Sequence, residues 1–388
     1  MRLSLLNTVL GLVLAATIAN AQESTPVATE KATTPVATTT DSKPKPEKPK
    51  EISKLTEEER TQAVFAAINA GDIETVKKMK HPMLYYRHNQ AGETALTQAI
   101  INKNLALVEL LSKDAVINMK NKAGETPLTL AIKQGDKEMI QVVSERAKAG
   151  LKNDEGMAPL MLAIDLEDLK LLQRLIDKGA DVNRKSNGNT PLTKAVSQNQ
   201  IKVVALFVRN GADPSITNDN GELPVYIAVQ NSYNVVAGIL LHKSEHPIKD
   251  ANWENAIGET LLNLAAAQGN EQLVRILIDN GAEVMKTDYM ENTGLNIAAE
   301  KGYTSIAVLL IEQGADPNHT NIMGTTPITA AASNGHTDLA GTLAEHGANP
   351  DLRNFEGVAA NDYGSYHTRL MDNELQNTII ELTEEETN

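Results

Sequence analysis

One phrase of eight residues returns along this chain at a nearly fixed interval, and that interval limits what the chain can fold into. The phrase is cleanest at Gly124-Glu125-Thr126-Pro127-Leu128-Thr129-Leu130-Ala131. It recurs at Gly188-Asn189-Thr190-Pro191-Leu192-Thr193-Lys194-Ala195 and at Gly324-Thr325-Thr326-Pro327-Ile328-Thr329-Ala330-Ala331. Weaker copies begin at Gly92, Gly156, Gly221 and Gly258, and another near Glu291 has lost its glycine. Successive starts lie 32, 32, 32, 33, 37, 33 and 33 residues apart. A unit this short cannot bury an apolar face alone, so units with such a period stack and share one continuous core.

Each unit spells out a helix pair. Thr126 is placed to cap a helix, because its hydroxyl can accept from a free backbone N–H. Pro127 follows at the first helical position, where a missing N–H costs nothing. Leu128 and Ala131 share a face, and the small Ala131 lets the neighbouring helix approach. Gln134-Gly135-Asp136 turns the chain, and a second helix carries Met139, Ile140, Val142 and Val143 into the stack. That helix usually ends at Gly-Ala, as at Gly179-Ala180, Gly211-Ala212, Gly281-Ala282, Gly314-Ala315 and Gly347-Ala348. Glycine there accommodates the left-handed residue that ends many helices. Polar loops such as Asp181-Val182-Asn183 and Asp316-Pro317-Asn318 follow.

The period near 33, the phrase G-x-T-P-L-x-x-A and the G-A-D-x-N ending resemble the ankyrin repeat family. The resemblance covers about residues 57–370. It implies an all-α solenoid of stacked helix pairs with β-turn or hairpin loop tips and degenerate capping units at both ends. Ala99, Ala131, Ala163, Ala195, Ala228, Ala265, Ala298 and Ala331 hold the last phrase position in eight repeats. The family motif usually carries His after the Leu. Here Thr97, Thr129, Met161, Thr193, Tyr226, Asn263, Asn296 and Thr329 stand there, so the hydrogen bond often made by that His must be remade or absent. The cap Thr is missing at Ala158 and Leu223. Gly294 replaces the proline and Glu291 the glycine of the seventh repeat, which is expected to be looser. Four extra residues between 242 and 255 predict a protruding loop in the fifth repeat.

Outside the repeats the chain divides simply. Arg2, an apolar run over 3–18 and Ala19-Asn20-Ala21 read as a secretory signal peptide over 1–21, cleaved after Ala21, so the protein is expected to be exported, either periplasmic or secreted. A Thr/Pro/Lys-rich linker follows over 22–54, and alternating Lys and Pro favour an extended spacer. The repeat domain spans 55–370, with about eight recognisable repeats plus caps. Residues 371–388 form a C-terminal cap helix, begun near Tyr366, and an acidic tail. No segment after the signal peptide is long and apolar enough to span a bilayer.

Composition narrows the chemistry. Aromatics are only 3%, so the core must come from Ala, Leu, Val and Ile. The first 54 residues hold 7 of the 36 basic and 5 of the 50 acidic residues, which leaves a net charge of −16 on the remainder. That sign argues against nucleic acid as a partner. There is no Cys, which removes disulfides, thiolate chemistry and Cys-ligated zinc. His242 and His246 are four apart, but zinc needs three or four ligands, no Cys is available, and Pro247 ends the helix before both rings can share a face, so no metal site is expected. No catalytic or phosphate-binding motif is present. Neither an enzyme activity nor a cofactor is expected. Asn318-His319-Thr320 fits a glycosylation acceptor in form only.

What remains is surface. In the resembled family the loop tips and the concave face of the first helices bind proteins. Around each phrase glycine the early tips are polar: Gln90 and Glu93, Lys122 and Glu125, Asp154 and Glu155, Asp219 and Glu222. The late tips turn apolar, with Ile257, then Tyr289 and Met290, then Ile322 and Met323, then Phe355; Trp253, the only tryptophan, lies just before Ile257. These seven late residues are the expected partner-binding set, because large apolar side chains at successive exposed positions mark interaction sites. The expected function is an exported scaffold for a protein partner, the protein itself being a monomer. The alternative is a dedicated accessory, protector or immunity/inhibitor protein for one periplasmic enzyme or toxin. The same side chains could instead pack neighbouring tips against one another.

Overall fold

The computed structural model describes residues 56–79, 82–113, 115–243, 251–255 and 257–363. The expected signal peptide, the linker, most of the fifth repeat's extra loop and the C-terminal segment from Gly364 lie outside these residues.

Among the described residues the architecture is helical throughout, with isolated bridges only at Ser186–Asn189 and Glu254–Thr260. Helices Glu57–Ala70 and Ile73–Lys78 form an N-terminal capping pair. Eight further pairs follow, from Ala95–Ile101 with Leu105–Leu111 to Pro327–Ser333 with Thr337–Glu345. First helices pack on the first helices of adjacent repeats, and second helices on second. One apolar core runs the length of the stack.

The repeated phrase builds this stack as its chemistry requires. Thr126 accepts from the Thr129 N–H at 3.1 Å, and the Thr126 N–H donates back to Thr129 Oγ1 at 2.9 Å. This reciprocal cap satisfies two backbone groups that a helix start leaves bare. Pro127 occupies the first turn. All eight phrase-end alanines are fully buried. At the other end of each pair the Gly-Ala signal closes the helix: the Ala180 N–H reaches the Leu175 carbonyl at 2.9 Å, and Ala315 reaches Leu310 likewise.

The position after the family Leu is buried Met161 and Tyr226 in two repeats, and in the other six it resolves in two ways. Where it is Thr, as at Thr97 and Thr129, the hydroxyl turns back onto its own cap. Where it is Asn, the amide also crosses to the next repeat. Asn263 Nδ2 donates to the Asn292 carbonyl at 3.0 Å, and Asn296 Nδ2 to the His319 carbonyl at 3.2 Å. Ala158 and Leu223 make no side-chain cap. The expected looseness of the seventh repeat has no counterpart at its helix start. Thr293 and Asn296 form the full reciprocal cap, and Gly294 is buried.

The turn between the two helices needs a left-handed residue. Glycine supplies it at Gly135, Gly269, Gly302 and Gly335, but Lys103, Glu167, Asn199 and Ser232 hold it in the first, third, fourth and fifth repeats, Glu167 with φ at 51°. A side chain costs about 1–2 kcal/mol in that region. Glu167→Gly is therefore expected to stabilise the protein by about 1 kcal/mol. A rise in the urea midpoint with an unchanged slope would bear this out; a fall would show that the Glu side chain makes a contribution of its own.

Candidate functional site

The loop tips form a ladder. Three residues before most phrase glycines stands an Asn or Asp whose side chain accepts the backbone N–H four residues on. Asn121 takes Glu125 at 2.8 Å, Asp288 takes Asn292 at 2.9 Å and Asn321 takes Thr325 at 3.0 Å. This internal clasp shapes those tips without help from their neighbours. Backbone bonds then join several successive tips. The Lys122 N–H donates to the Gly92 carbonyl at 2.8 Å, Ile322 to Met290 at 2.9 Å and Phe355 to Met323 at 3.1 Å.

Side chains reinforce the ladder. The residue two places before one phrase start lies over the previous glycine. A Cβ added at Gly92 would come within 2.7 Å of Lys122 Cβ, and one at Gly258 within 2.8 Å of Tyr289 Cδ1. One at Gly324 would meet Phe355 Cδ1 at 3.0 Å. These glycines combine a left-handed backbone with a neighbour seated directly on the Cα.

The early tips are held by charge. Lys120 pairs with Asp154 at 2.6 Å and Lys185 with Asp219 at 3.1 Å. Lys133, on a first helix, reaches Glu125 at 2.5 Å and Glu155 at 2.9 Å. The bond to Glu125, then that to Glu155, raises the Lys133 ammonium above its ordinary range. Asn153 also donates to both Glu125 oxygens, so this buried carboxylate is fully clasped. Burial opposes the charge on Asp165, but bonds from Lys194 and Gln198 prevail and hold its carboxyl below the usual range. Polar groups here are largely committed to one another across repeats.

The late tips differ. Ile257, Tyr289 and Phe355 are 65%, 68% and 81% exposed, and Met290, Ile322 and Met323 are about half exposed, at 50%, 46% and 46%. Tyr289 and Phe355 lay one edge on a neighbouring glycine and are still largely exposed. Packing between tips and exposure to solvent therefore coexist in the same side chains. On the first helices of the same repeats Leu264, Ile297 and Ala330 are half-buried. The result is an apolar ridge across the sixth to eighth repeats and the tip beyond them.

Trp253 does not join it. Its ring centroid lies 4.8 Å from that of buried Tyr226, tilted by 51°, and it packs against the core at the loop base. A lone tryptophan in a loop reads as exposed from sequence, yet its apolar area is better removed from water when a neighbouring repeat offers a ring. His242 is exposed at the end of helix Asn234–Lys243, and His246 lies outside the described residues. Among the described residues no group of three or more His, Asp or Glu side chains is placed to hold a metal ion, and no helix is long and apolar enough to cross a membrane.

Two features escaped the sequence reading. The Asn or Asp clasp was visible as a fixed offset from the glycine, at 89, 121, 153, 218, 255, 288, 321 and 354. The GADxN asparagines are staples as well. Asn318 Nδ2 donates to the Gly347 carbonyl at 3.0 Å and its Oδ1 accepts the Asn349 N–H at 2.7 Å. A glycan on this amide would displace that staple.

The family description "Ankyrin repeats (3 copies)" matches residues 62–148, 141–218, 202–288, 226–321 and 286–354. No curated protein matches the chain.

Proposed function

Since the chain belongs to the ankyrin repeat family, whose members are generally protein-interaction scaffolds and typically not enzymes, we propose that it is an exported scaffold that seats a protein partner on the late-repeat ridge. Six side chains carry the contact: Ile257, Tyr289, Met290, Ile322, Met323 and Phe355. The observation behind this reading is their joint exposure on tips already fixed by the clasp and the backbone ladder. A surface held rigid before binding loses little conformational freedom when a partner arrives, so its apolar area goes into affinity. The committed polar groups of the early tips offer no such surplus. Export rests on the signal-like start of the chain.

The experiment is affinity capture from the exported fraction, comparing wild type with Tyr289→Ser/Ile322→Ser. Truncating two central apolar residues of an interface is expected to weaken capture by at least about tenfold, with helix content unchanged. Equal capture by the variant would sink the ridge as the binding face. Loss of cooperative melting in the variant would mean that these side chains serve to pack the tips. A single enzyme recovered in fixed ratio, with altered activity, would specify the scaffold as a dedicated accessory or inhibitor.

A further inference from the structure

The sulfur chemistry of this chain is confined to methionine, since there is no Cys. Its methionines are unevenly placed. Met79, Met139 and Met161 are buried in the stack. Among the described methionines, the exposed ones are Met285, Met290 and Met323, all in the late repeats. The Met285 sulfur accepts the Asp316 N–H at 3.2 Å, which ties up one of its lone pairs. Met290 and Met323 stand on the apolar ridge itself, one ladder step apart. The Ile322 N–H donates to the Met290 carbonyl, and the Phe355 N–H to the Met323 carbonyl.

We infer that Met290 and Met323 form an oxidant-sensitive pair, converted to sulfoxides by peroxide, and that this conversion switches off the ridge as an apolar surface while the fold stays intact. In each step a thioether lone pair attacks one peroxide oxygen. The S–O bond forms, the O–O bond breaks, and the departing hydroxide becomes water with the proton that the transferred oxygen gives up, directly or through solvent. Sulfur is oxidised by two electrons and peroxide is reduced by two. The product is a polar sulfoxide where an apolar thioether stood.

Placement makes this a surface event. The bonds that shape these tips come from the main chain and from Asp288 and Asn321, and neither sulfur takes part in them. Oxidation of Met139 or Met161 would put a polar oxygen into the core. Oxidation at 290 and 323 puts two polar groups among Tyr289, Ile322 and Phe355 without moving a helix. The consequence for a partner rests on the proposed function; the selectivity of the modification does not.

The full chain is treated with hydrogen peroxide, and three readouts are taken: peptide mapping, thermal melting and fluorescence of the apolar probe 8-anilinonaphthalene-1-sulfonate. Met290 and Met323 are expected to oxidise at least about tenfold faster than Met139 and Met161, as exposure dictates. The melting midpoint should hold while probe fluorescence falls severalfold. Met290→Leu/Met323→Leu should keep its fluorescence through the treatment, and Met290→Gln/Met323→Gln should show the low signal without any peroxide. Equal oxidation of buried and exposed methionines would overturn the inference, as would a collapsing melt or a Leu/Leu variant that dims like wild type. If untreated protein captures no partner, the binding reading fails and the oxidation map stands. If fully oxidised protein captures a partner as well as untreated protein does, the switch fails and the binding reading stands.

Discussion

Phe207→Ala is expected to cost about 3–5 kcal/mol and to split one unfolding transition into two. Phe207 is fully buried in Ile201–Arg209, the second helix of the fourth repeat. Its helix packs on Pro191–Ser197 of its own repeat and on the second helices of the third and fifth. Removing the ring leaves a cavity in a thin stack, where few other side chains can shift to fill it. Because each unit leans only on its neighbours, a weak fourth repeat uncouples the repeats before it from those after it. Urea denaturation followed by circular dichroism should show a second inflection or a reduced slope, and the first thermal midpoint should fall by about 5–10 °C. One sharp transition with the wild-type slope would mean that the stack is coupled through more than nearest-neighbour contacts.

The second large effect is at Lys133. Lys133→Met removes the cation that clasps buried Glu125 and exposed Glu155 and leaves Glu125 with the amide of Asn153 alone. Stranding one partner of a fully buried pair costs about 3–5 kcal/mol; the ammonium here is partly exposed, so about 2 kcal/mol is expected. Adding Glu125→Gln should restore most of the loss, because the amide needs no counter-charge. A double-mutant cycle in urea measures this, and a double variant as unstable as Lys133→Met would rule out the stranded carboxylate as the cause. The pH dependence has a definite sign. The Lys133 pKa is raised on folding, so its contribution is complete below the ordinary lysine range and is lost as pH rises through the raised value. The gap between wild type and Lys133→Met should therefore narrow at strongly alkaline pH.

The contrast between these two sites shows how far the sequence reading reached. Phe207 could be placed in the core from sequence, since it falls in an apolar run at helical spacing inside a unit whose period is known. The Glu125 clasp could not. Its partners lie 8 and 28 residues away, and sequence showed Glu125 only as one of the polar residues of the early tips, with Asp154 and Glu155. The structure buries it because stacking brings Asn153 of the next tip against it. The late tips divide in the same way. Ile257, Tyr289, Met290, Ile322, Met323 and Phe355 were read as exposed and are, while Trp253 was read with them and turns inward to Tyr226.

The sequence by itself determined the repeat, its length, the helix pair within it, the caps, the buried alanines and the side on which apolar tips accumulate. All of these follow from signals within a few residues of one another: a cap hydroxyl, a proline at a helix start, a glycine at a turn. Only the tertiary structure decided what happens between positions one period apart. It set Tyr289 on Gly258 and Phe355 on Gly324, and it spent Asn263 and Asn296 on the next repeat. It also left two methionine sulfurs on the apolar ridge. Those contacts exist only once the units stack, because residues about 33 apart have no local interaction through which the chain could announce them.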